Sequence, residues 1–507
     1  MSLITSEETF EIAIVESLIT VGGYTQGNAQ DYSKELGLFK AEVLDFLQTT
    51  QPKPWAKLAA THGEDIGNRL LQRLHKEMDL RGSLDVLRHG ITDYGVKFRL
   101  AYFKPESGLN PDTIALYTQN RLTVIRQVHY SQKNNKSVDL VLALNGIPVA
   151  TLELKNQFTG QDISNARTQY NTSRDPQELL FTFKKRALVH FAVDDAEVYM
   201  TSRLDGDRTH WLPFNQGYNN GKGNPPNPDS YRTAYLWQKI LVKDSWLEII
   251  GRFIHLQTKE YELAGRTHKT EKLIFPRFHQ LDVVRQLTHH ARTNGAGQNY
   301  LIQHSAGSGK SNSIAWLAYR LSGLHNDRDQ RIFDSVIVIT DRLILDSQLQ
   351  DTIYQFEHTA GIVHKIDKDS TQLAEAIARS ANIIITTLQK FPYVIDKVGK
   401  LPHRCYAVII DEAHSSQGGE ATKKMKEVLS AASLEDAANQ DLDTDPSPED
   451  WINDCVDPTD NYADRSAQSR GRQANISFFA FTATPKDRTL AVFGQKNPEG
   501  KPTPFHL

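Results

Sequence analysis

Apolar residues recur along this chain in two rhythms, and the change from one to the other divides it. Between Asp65 and Met78, Ile66, Leu70, Leu71, Leu74 and Met78 fall near i, i+4, i+8 and i+12, the stripe of an amphipathic helix whose apolar side enters a core. From about 137 to 204 the runs shorten to VDLVLAL, VATLELK, ALVHFAV and AEVYMTS, interrupted by turn residues and one helical stretch around 162–171, which predicts a mixed α/β module. Residues 213–228, PFNQGYNNGKGNPPNP, are too rich in Gly, Asn and Pro for a regular ladder and predict an irregular surface loop. Helical patterning resumes from about 230 to 258, and the polar stretch 258–272, TKEYELAGRTHKTEK, reads as a boundary. Beyond it LIQHS (301–305), SVIVIT (335–340), NIIITT (382–387), YAVIID (406–411) and ISFFAFTAT (476–484) are apolar without alternation. Such runs are the signature of parallel strands covered on both faces. The expected class is α/β, with a first domain over 1–260, a linker over 261–272 and a second domain over 273–507.

Composition narrows the class without naming a chemistry. The chain has 507 residues, enough for two or three domains at roughly 100–200 residues each. Lys and Arg number 58 against 61 Asp and Glu, and 39% of residues are hydrophobic, which excludes collagenous, mainly disordered and membrane-embedded chains. Two cysteines, Cys405 and Cys455, are too few for a disulfide framework or a thiolate zinc site. The start of the chain lacks a basic segment followed by an apolar one, so a cytoplasmic location is expected. The stretch 435–464 holds eleven acidic residues and no basic one, with Pro446, Pro448 and Pro458, and reads as a solvated insertion between two strands. Its acid offsets a net positive remainder, so the formal charge of −3 leaves room for a basic nucleic-acid groove.

Chemistry enters first at His304-Ser-Ala-Gly-Ser-Gly-Lys-Ser311, which follows a predicted strand and precedes a helical run. That is the setting of a phosphate-binding loop. Ala306, Gly307, Ser308 and Gly309 would bring backbone N–H groups around a β-phosphate, Lys310 would reach the β and γ phosphates, and Ser311 would ligate Mg²⁺. His304 stands where the usual first glycine would be. About 100 residues on, Asp411-Glu-Ala-His414 ends a buried strand; Asp411 could hold Mg²⁺ through water and Glu412 could polarise the attacking water. These residues resemble the DEAH box of superfamily 2 helicases and translocases, and other segments follow in that family's order. Phe278-His-Gln280 resembles the adenine-reading Q motif, with Gln280 on the base edge. Thr340-Asp-Arg342 and Thr386-Thr387-Leu-Gln389 resemble the motifs at the DNA backbone, and Thr482-Ala-Thr484 resembles the coupling motif. The resemblance implies a RecA-like lobe that uses ATP and Mg²⁺.

In the first half, Asp139 and Glu153-Leu-Lys155 lie on strand-like runs joined around Asn145-Gly146, a strong hairpin signal. A strict two-residue turn would pair Asp139 with Leu152 and leave Glu153 on the wrong face, so a three-residue loop or a bulge is predicted, with Pro148 helping to enforce it. Asp139 and Glu153 on one face could hold a divalent metal that activates water, while Lys155 orients the water or stabilises the phosphorane. The pattern resembles the PD-(D/E)xK nuclease core, with Val138 in place of the usual proline. On the helix after the lysine Gln169 and Tyr170 are adjacent; where a Gln-x-x-x-Tyr element is implied by resemblance, Tyr170 takes the tyrosine position and Ala166 stands at the spacing of the glutamine.

Taken together, a nuclease core, a DEAH-type lobe and the segments DLRGSLDVLRHG (79–90) and WLPFNQGYNNGKGNPPNP (211–228) resemble the restriction (R) subunit of type I restriction-modification enzymes. The resemblance implies ATP-driven translocation of double-stranded DNA and its endonucleolytic cleavage, in complex with modification and specificity subunits. It also implies a second RecA-like lobe, to which nothing after Thr484 corresponds, so either a fragment of a longer polypeptide or a lobe supplied in trans is expected, the family's larger size favouring the fragment. Translocation by this chain alone is not expected. Two other readings stay open on these residues: a DNA-binding assembly module with an inactive nuclease fold, and an RNA-directed DEAH helicase.

Overall fold

The structure, a computed structural model, describes residues 6–340 apart from 107, 109, 220, 264, 265 and 306. Beyond 340 it describes 349, 352–353, 362–366, 372–373, 375–376, 379–387, 404–411, 475–497 and 500–506. The chain divides into two compact units, Met1–His279 and Gln280–Leu507.

The first unit is built on a seven-stranded mixed sheet flanked by helices. Helix α1 (Glu7–Thr20) is capped by Ser6, whose hydroxyl accepts from Thr9 N–H, and it buries Phe10, Ile14, Val15 and Leu18. Strand β1 (Tyr24–Gln26) follows, then helices α2 (Lys40–Thr50), α3 (Pro52–His62) and α4 (Ile66–Arg81). In α4 the residues of the apolar stripe, Ile66, Leu70, Leu71, Leu74 and Met78, are all buried. The centre of the sheet is β2 (Leu122–His129), β3 (Ser137–Leu144) and β4 (Ile147–Leu154), antiparallel to one another. Every residue of β4 is buried, so the strand is covered on both faces. Helix α5 (Ile163–Ser173) then crosses over to β5 (Val189–Val193), which lies parallel to β4. The strands β6 (Val198–Thr201) and β7 (Leu212–Pro213) complete that edge, and β1 pairs in parallel with β2 at the other.

Two expectations need correction. The helical region after 230 ends at Phe253, closing in a wide turn of helix over Ile249–Phe253. The polar stretch expected to be a linker over 261–272 is most of an antiparallel ribbon, β8 (His255–Leu263) and β9 (Arg266–Ile274). Polar residues line both sides of its outer half, so the alternation that marks a half-buried strand is missing. The segment 79–90 serves as scaffold. Arg88 donates through Nε and Nη2 to the carbonyl of Ile250 and through Nη2 to that of Ile254, tying the short helix over 83–89 to the end of the helical region.

Helix α6 (Phe278–Asn294), which lies in the second unit from Gln280 on, leads to β10 (Asn299–Gln303) and α7 (Lys310–Ser322). The strands β11 (Ser335–Thr340), β12 (Val363–Lys365), β13 (Ile383–Thr387), β14 (Tyr406–Ile410) and β15 (Ile476–Thr482) follow, and then helix α8 (Asp487–Phe493). These strands and β10 form one sheet in the order β10-β15-β14-β11-β13-β12, with every pairing parallel. A parallel sheet sends all its strand C-termini to one edge. The loop after β10, Thr340, Thr387, Asp411 and Thr482 therefore gather at that edge, although up to about 180 residues separate them in sequence.

Candidate functional site

The β3–β4 hairpin turns at Asn145 and Gly146, with φ of 51° and 81°. This is the left-handed pair that a two-residue hairpin turn requires. Leu144 faces Ile147 and Ala143 faces Pro148; the register then slips by one, so that Leu142 faces Ala150 and Leu140 faces Leu152. The extra residue is Val149. Carried one step further, this register sets Asp139 opposite Glu153, the bulged arrangement expected from the sequence. Pro148 sits beside the bulge, where a missing N–H disturbs the ladder least. Beyond the Leu140–Leu152 pair the ladder opens, and Leu154 N–H donates to Asp139 Oδ2 at 2.8 Å.

A second irregularity supports the same layer from β2. Gln127, between the pairs Arg126–Leu140 and Val128–Val138, has a φ of 50°. For a residue with a side chain this conformation costs about 1 kcal/mol or more and needs local support. Its Nε2 donates to Glu11 Oε2 at 3.0 Å and to Asp139 Oδ1 at 3.4 Å, while Ser137 Oγ donates to its Oε1 at 2.9 Å. Glu11, buried on α1, also receives Arg126. A shallow depression of about 570 Å³ is lined by Arg126, Gln127 and the loop from Gln26 to Ala29.

Glu153 is fully buried, and Arg174 Nε donates to its Oε1 at 2.6 Å. Its Oε2 has no hydrogen-bond partner among the described residues. Burial, and after it the negative charge of Asp139, push the Glu153 carboxyl up to about 8 against the opposing pull of Arg174 and Lys155. Lys155, also buried, donates through Nζ to Leu154 O at 2.8 Å and to Glu7 Oε1 at 3.0 Å. Thus Asp139, Glu153 and Lys155 share one layer of the sheet, framed by Glu7, Glu11, Gln127 and Arg174. None of the four framing residues belongs to a spacing motif. Each reaches the layer through the fold, and nothing in its local sequence marks it.

Two carboxylates side by side, one with an orphaned buried oxygen and a raised carboxyl, form a donor set that fits a hard divalent cation. No cluster of three or more His, Cys, Asp or Glu side chains suited to a metal occurs among the described residues. A pair of carboxylates suits Mg²⁺, which keeps several waters and takes one or two such ligands. Tyr170 is buried and bonds through its hydroxyl to Thr151 Oγ1 at 2.8 Å, which bonds in turn to His190 Nδ1 at 2.8 Å. Burial holds the His190 imidazole down at about 3, so it stays neutral. Tyr170 therefore buttresses β4 rather than bonding to Glu153, and Ala166, also buried, occupies the preceding turn of the same helical face.

In the second unit Gly307 and Gly309 have φ of 79° and 85°. Only glycine adopts these without strain, and Gly309 is also crowded, since a Cβ there would lie 2.4 Å from Gln280 Nε2. Lys310 and Ser311 open α7, whose N-terminal N–H groups carry the positive end of the helix dipole. Gln280 is nearly buried, and its Nε2 donates to the carbonyls of Ser308 (3.2 Å) and Gly309 (2.9 Å). The resemblance puts this amide on the adenine edge; here its nitrogen donates to the loop. His304 N–H donates to Thr482 O at 2.9 Å, which joins the loop's entry to the end of β15. His304 Nε2 meets His506 Nδ1 at 3.2 Å, and His506 Nε2 meets Asp282 Oδ2 at 3.1 Å. Thr387 is buried at the end of β13, Asp411 follows β14, and Thr484 lies exposed just past β15. Ala306, Arg342, Gln389, Glu412, His414 and the acidic stretch 435–464 lie outside the described residues.

Two family models match the chain. Residues 5–209 match the type I restriction enzyme R protein N terminus, and residues 279–434 match the SWI2/SNF2 ATPase. Among curated proteins, the chain is 24% identical over 313 residues to the type I restriction enzyme SsaAORF53P endonuclease subunit of Staphylococcus saprophyticus; the alignment covers 60% of this chain and 30% of that protein. It is 24% identical over 320 residues to the SauCOLORF180P endonuclease subunit of Staphylococcus aureus strain COL, covering 61% and 31%. A fragment structure of a proposed HsdR subunit of a type I restriction enzyme from Vibrio vulnificus YJ016 aligns over 74% of this chain and 50% of that one, at 14% identity and a TM-score of 0.25. The chain thus spans about a third of the length of the curated relatives it matches.

Proposed function

This chain is related to the endonuclease (R) subunits of type I restriction enzymes, and from that premise we propose that it supplies the DNA-cleaving centre and one nucleotide-binding lobe of such an enzyme. The observation that carries the reading is the bulged β3–β4 hairpin, which sets Asp139 opposite a buried Glu153 whose Oε2 is unbonded, with Lys155 on the same strand. Asp139 and Glu153 would hold Mg²⁺, which when bound supplies an activated water and a Lewis acid to the phosphate. Arg174 fixes the rotamer of Glu153 by holding Oε1, so Oε2 is the oxygen left for the cation. Lys155, on leaving Glu7, would place its ammonium against the phosphate oxygens as charge builds.

The parallel sheet of the second unit would bind ATP on the loop from Ala306 to Ser311. Lys310 would reach the phosphates, Ser311 and Asp411 would hold Mg²⁺, and Glu412 would position the attacking water. Arg342, Thr387, Gln389, His414, Thr482 and Thr484 would link nucleotide state to DNA. The substrate is double-stranded DNA, translocated at the expense of ATP, the partners are modification and specificity subunits, and the site of action is the cytoplasm.

The test uses the enzyme assembled with those partners. Asp139→Ala is expected to abolish DNA cleavage and leave ATP hydrolysis in place, whereas Lys310→Ala abolishes hydrolysis. Normal cleavage by the Asp139 variant would exclude this centre.

A further inference from the structure

The β8–β9 ribbon sorts its charges by face, and we propose that one of those faces is a contact surface for the phosphate backbone of duplex DNA. This rests on the DNA reading above and adds a surface outside both sites. Antiparallel pairing places Gln257 with Lys272, Lys259 with Thr270, and Tyr261 with His268. Directly paired residues share a face, and successive residues alternate. One face therefore carries Lys259, Tyr261, His268, Thr270 and Lys272, and no carboxylate from 257 to 261 or from 268 to 272. The opposite face carries Glu260, Glu262 and Glu271 together with Lys269.

The ion pairs follow the same division. Glu260 is matched by Lys269 at 2.8 Å, and Glu271 is matched by Lys184 of the unit's body. Lys259 and Lys272 enter no ion pair among the described residues. The acidic face is largely neutralised and the other keeps its charge. Tyr261 and His268 stack at 5.6 Å with an interplanar angle of 20°, which stiffens the ribbon on its basic face.

The ribbon's base is anchored. Leu273 and Phe275 are buried, Ser202 Oγ donates to Leu273 O at 2.6 Å, and Phe275 packs against Phe191, Phe214 and Trp246. From there, strands of nine residues extend about 30 Å. A lone two-stranded ribbon is marginally stable in water and contributes little to a core. Its length instead suits a run of duplex DNA, which carries one negative charge per about 1.7 Å of its axis.

The experiment measures binding of the full chain to a fluorescent 30-base-pair duplex across a salt series. Lys259→Ala combined with Lys272→Ala is expected to lower the slope of log K against log salt by about 2, close to 0.9 for each phosphate that a lysine no longer neutralises. Glu260→Gln combined with Glu262→Gln, on the other face of the same ribbon, leaves that slope unchanged and controls for damage to the ribbon. If the wild-type chain binds and the lysine variant keeps its slope, the ribbon proposal is overturned while the DNA reading stands. If the wild-type chain does not bind duplex DNA, both are overturned.

Discussion

Asp139, Glu153 and Lys155 are legible from residue type and spacing, but the residues that set their properties are not. Arg174 lies 21 positions after Glu153 and bonds to it only because α5 returns the chain to β4. Arg174→Met would leave a buried carboxylate without its partner, and a loss of about 3 kcal/mol in the stability of the first unit is expected from urea unfolding at pH 8. The loss should be smaller at pH 6, where Glu153 is protonated. The carboxyl of Glu153 also sets a pH dependence. Its value of about 8 in the folded chain lies above its ordinary 4.5, so the folded state binds the extra proton between those limits. In metal-free protein its contribution to stability is complete below pH 4.5 and is lost as pH rises through about 8. His190, held down at about 3, works in the opposite sense up to about pH 6.5, so the loss due to Glu153 is clearest from 6.5 to 8. Glu153→Gln should flatten that part of the curve, and an unchanged slope would mean that Glu153 is ionised in the folded state throughout.

At the scale of elements, the candidate nuclease centre depends on one irregularity in an otherwise regular hairpin. The single extra residue in β4 decides which face Glu153 occupies. Deleting Val149 would remove the bulge and keep Asp139 opposite Glu153 in a plain two-residue register, so cleavage by the assembled enzyme should survive; its loss would show that the bulge itself shapes the centre. The sequence implied some such slip, because a plain turn would have put Leu152 opposite Asp139, although it could not say that the slip would come after Pro148. The phosphate loop makes a graded prediction. Alanine at 307 meets only the backbone cost of positive φ, about 1–3 kcal/mol, since no atom lies within 4 Å of the added carbon. Alanine at 309 meets the same cost and also displaces Gln280. Binding of a fluorescent ATP analogue should weaken in both variants and more in Gly309→Ala; equal affinities would show that Gln280 does not brace the loop. The part of the ribbon within 261–272 reads as a linker in the sequence because its exposed outer half lacks an apolar face, and the sorting of its charges emerges only once pairing fixes which residues are neighbours.

At the scale of the whole molecule, each unit has its own sheet and its own candidate chemistry. Calorimetry should therefore resolve two transitions, with Mg²⁺ and a non-hydrolysable ATP analogue raising that of the second unit more than Mg²⁺ alone does. A shift of both by equal amounts would show that they unfold as one. Local sequence sufficed for whatever is carried by contiguous residues. The helix stripe of α4, the buried strands, the phosphate loop and the Asp–Glu–Lys spacing all express periodicity or short-range backbone geometry, which a few adjacent residues determine. Tertiary structure decided everything that depends on neighbours distant in the chain: the register that opposes Asp139 to Glu153, the guanidinium that holds Glu153, the amide of Gln280 turned onto the loop, and the split of the ribbon into a basic and an acidic face. The physical reason is that burial and charge interactions act through space, so the environment of a side chain is set by packing and pairing rather than by its place in the sequence.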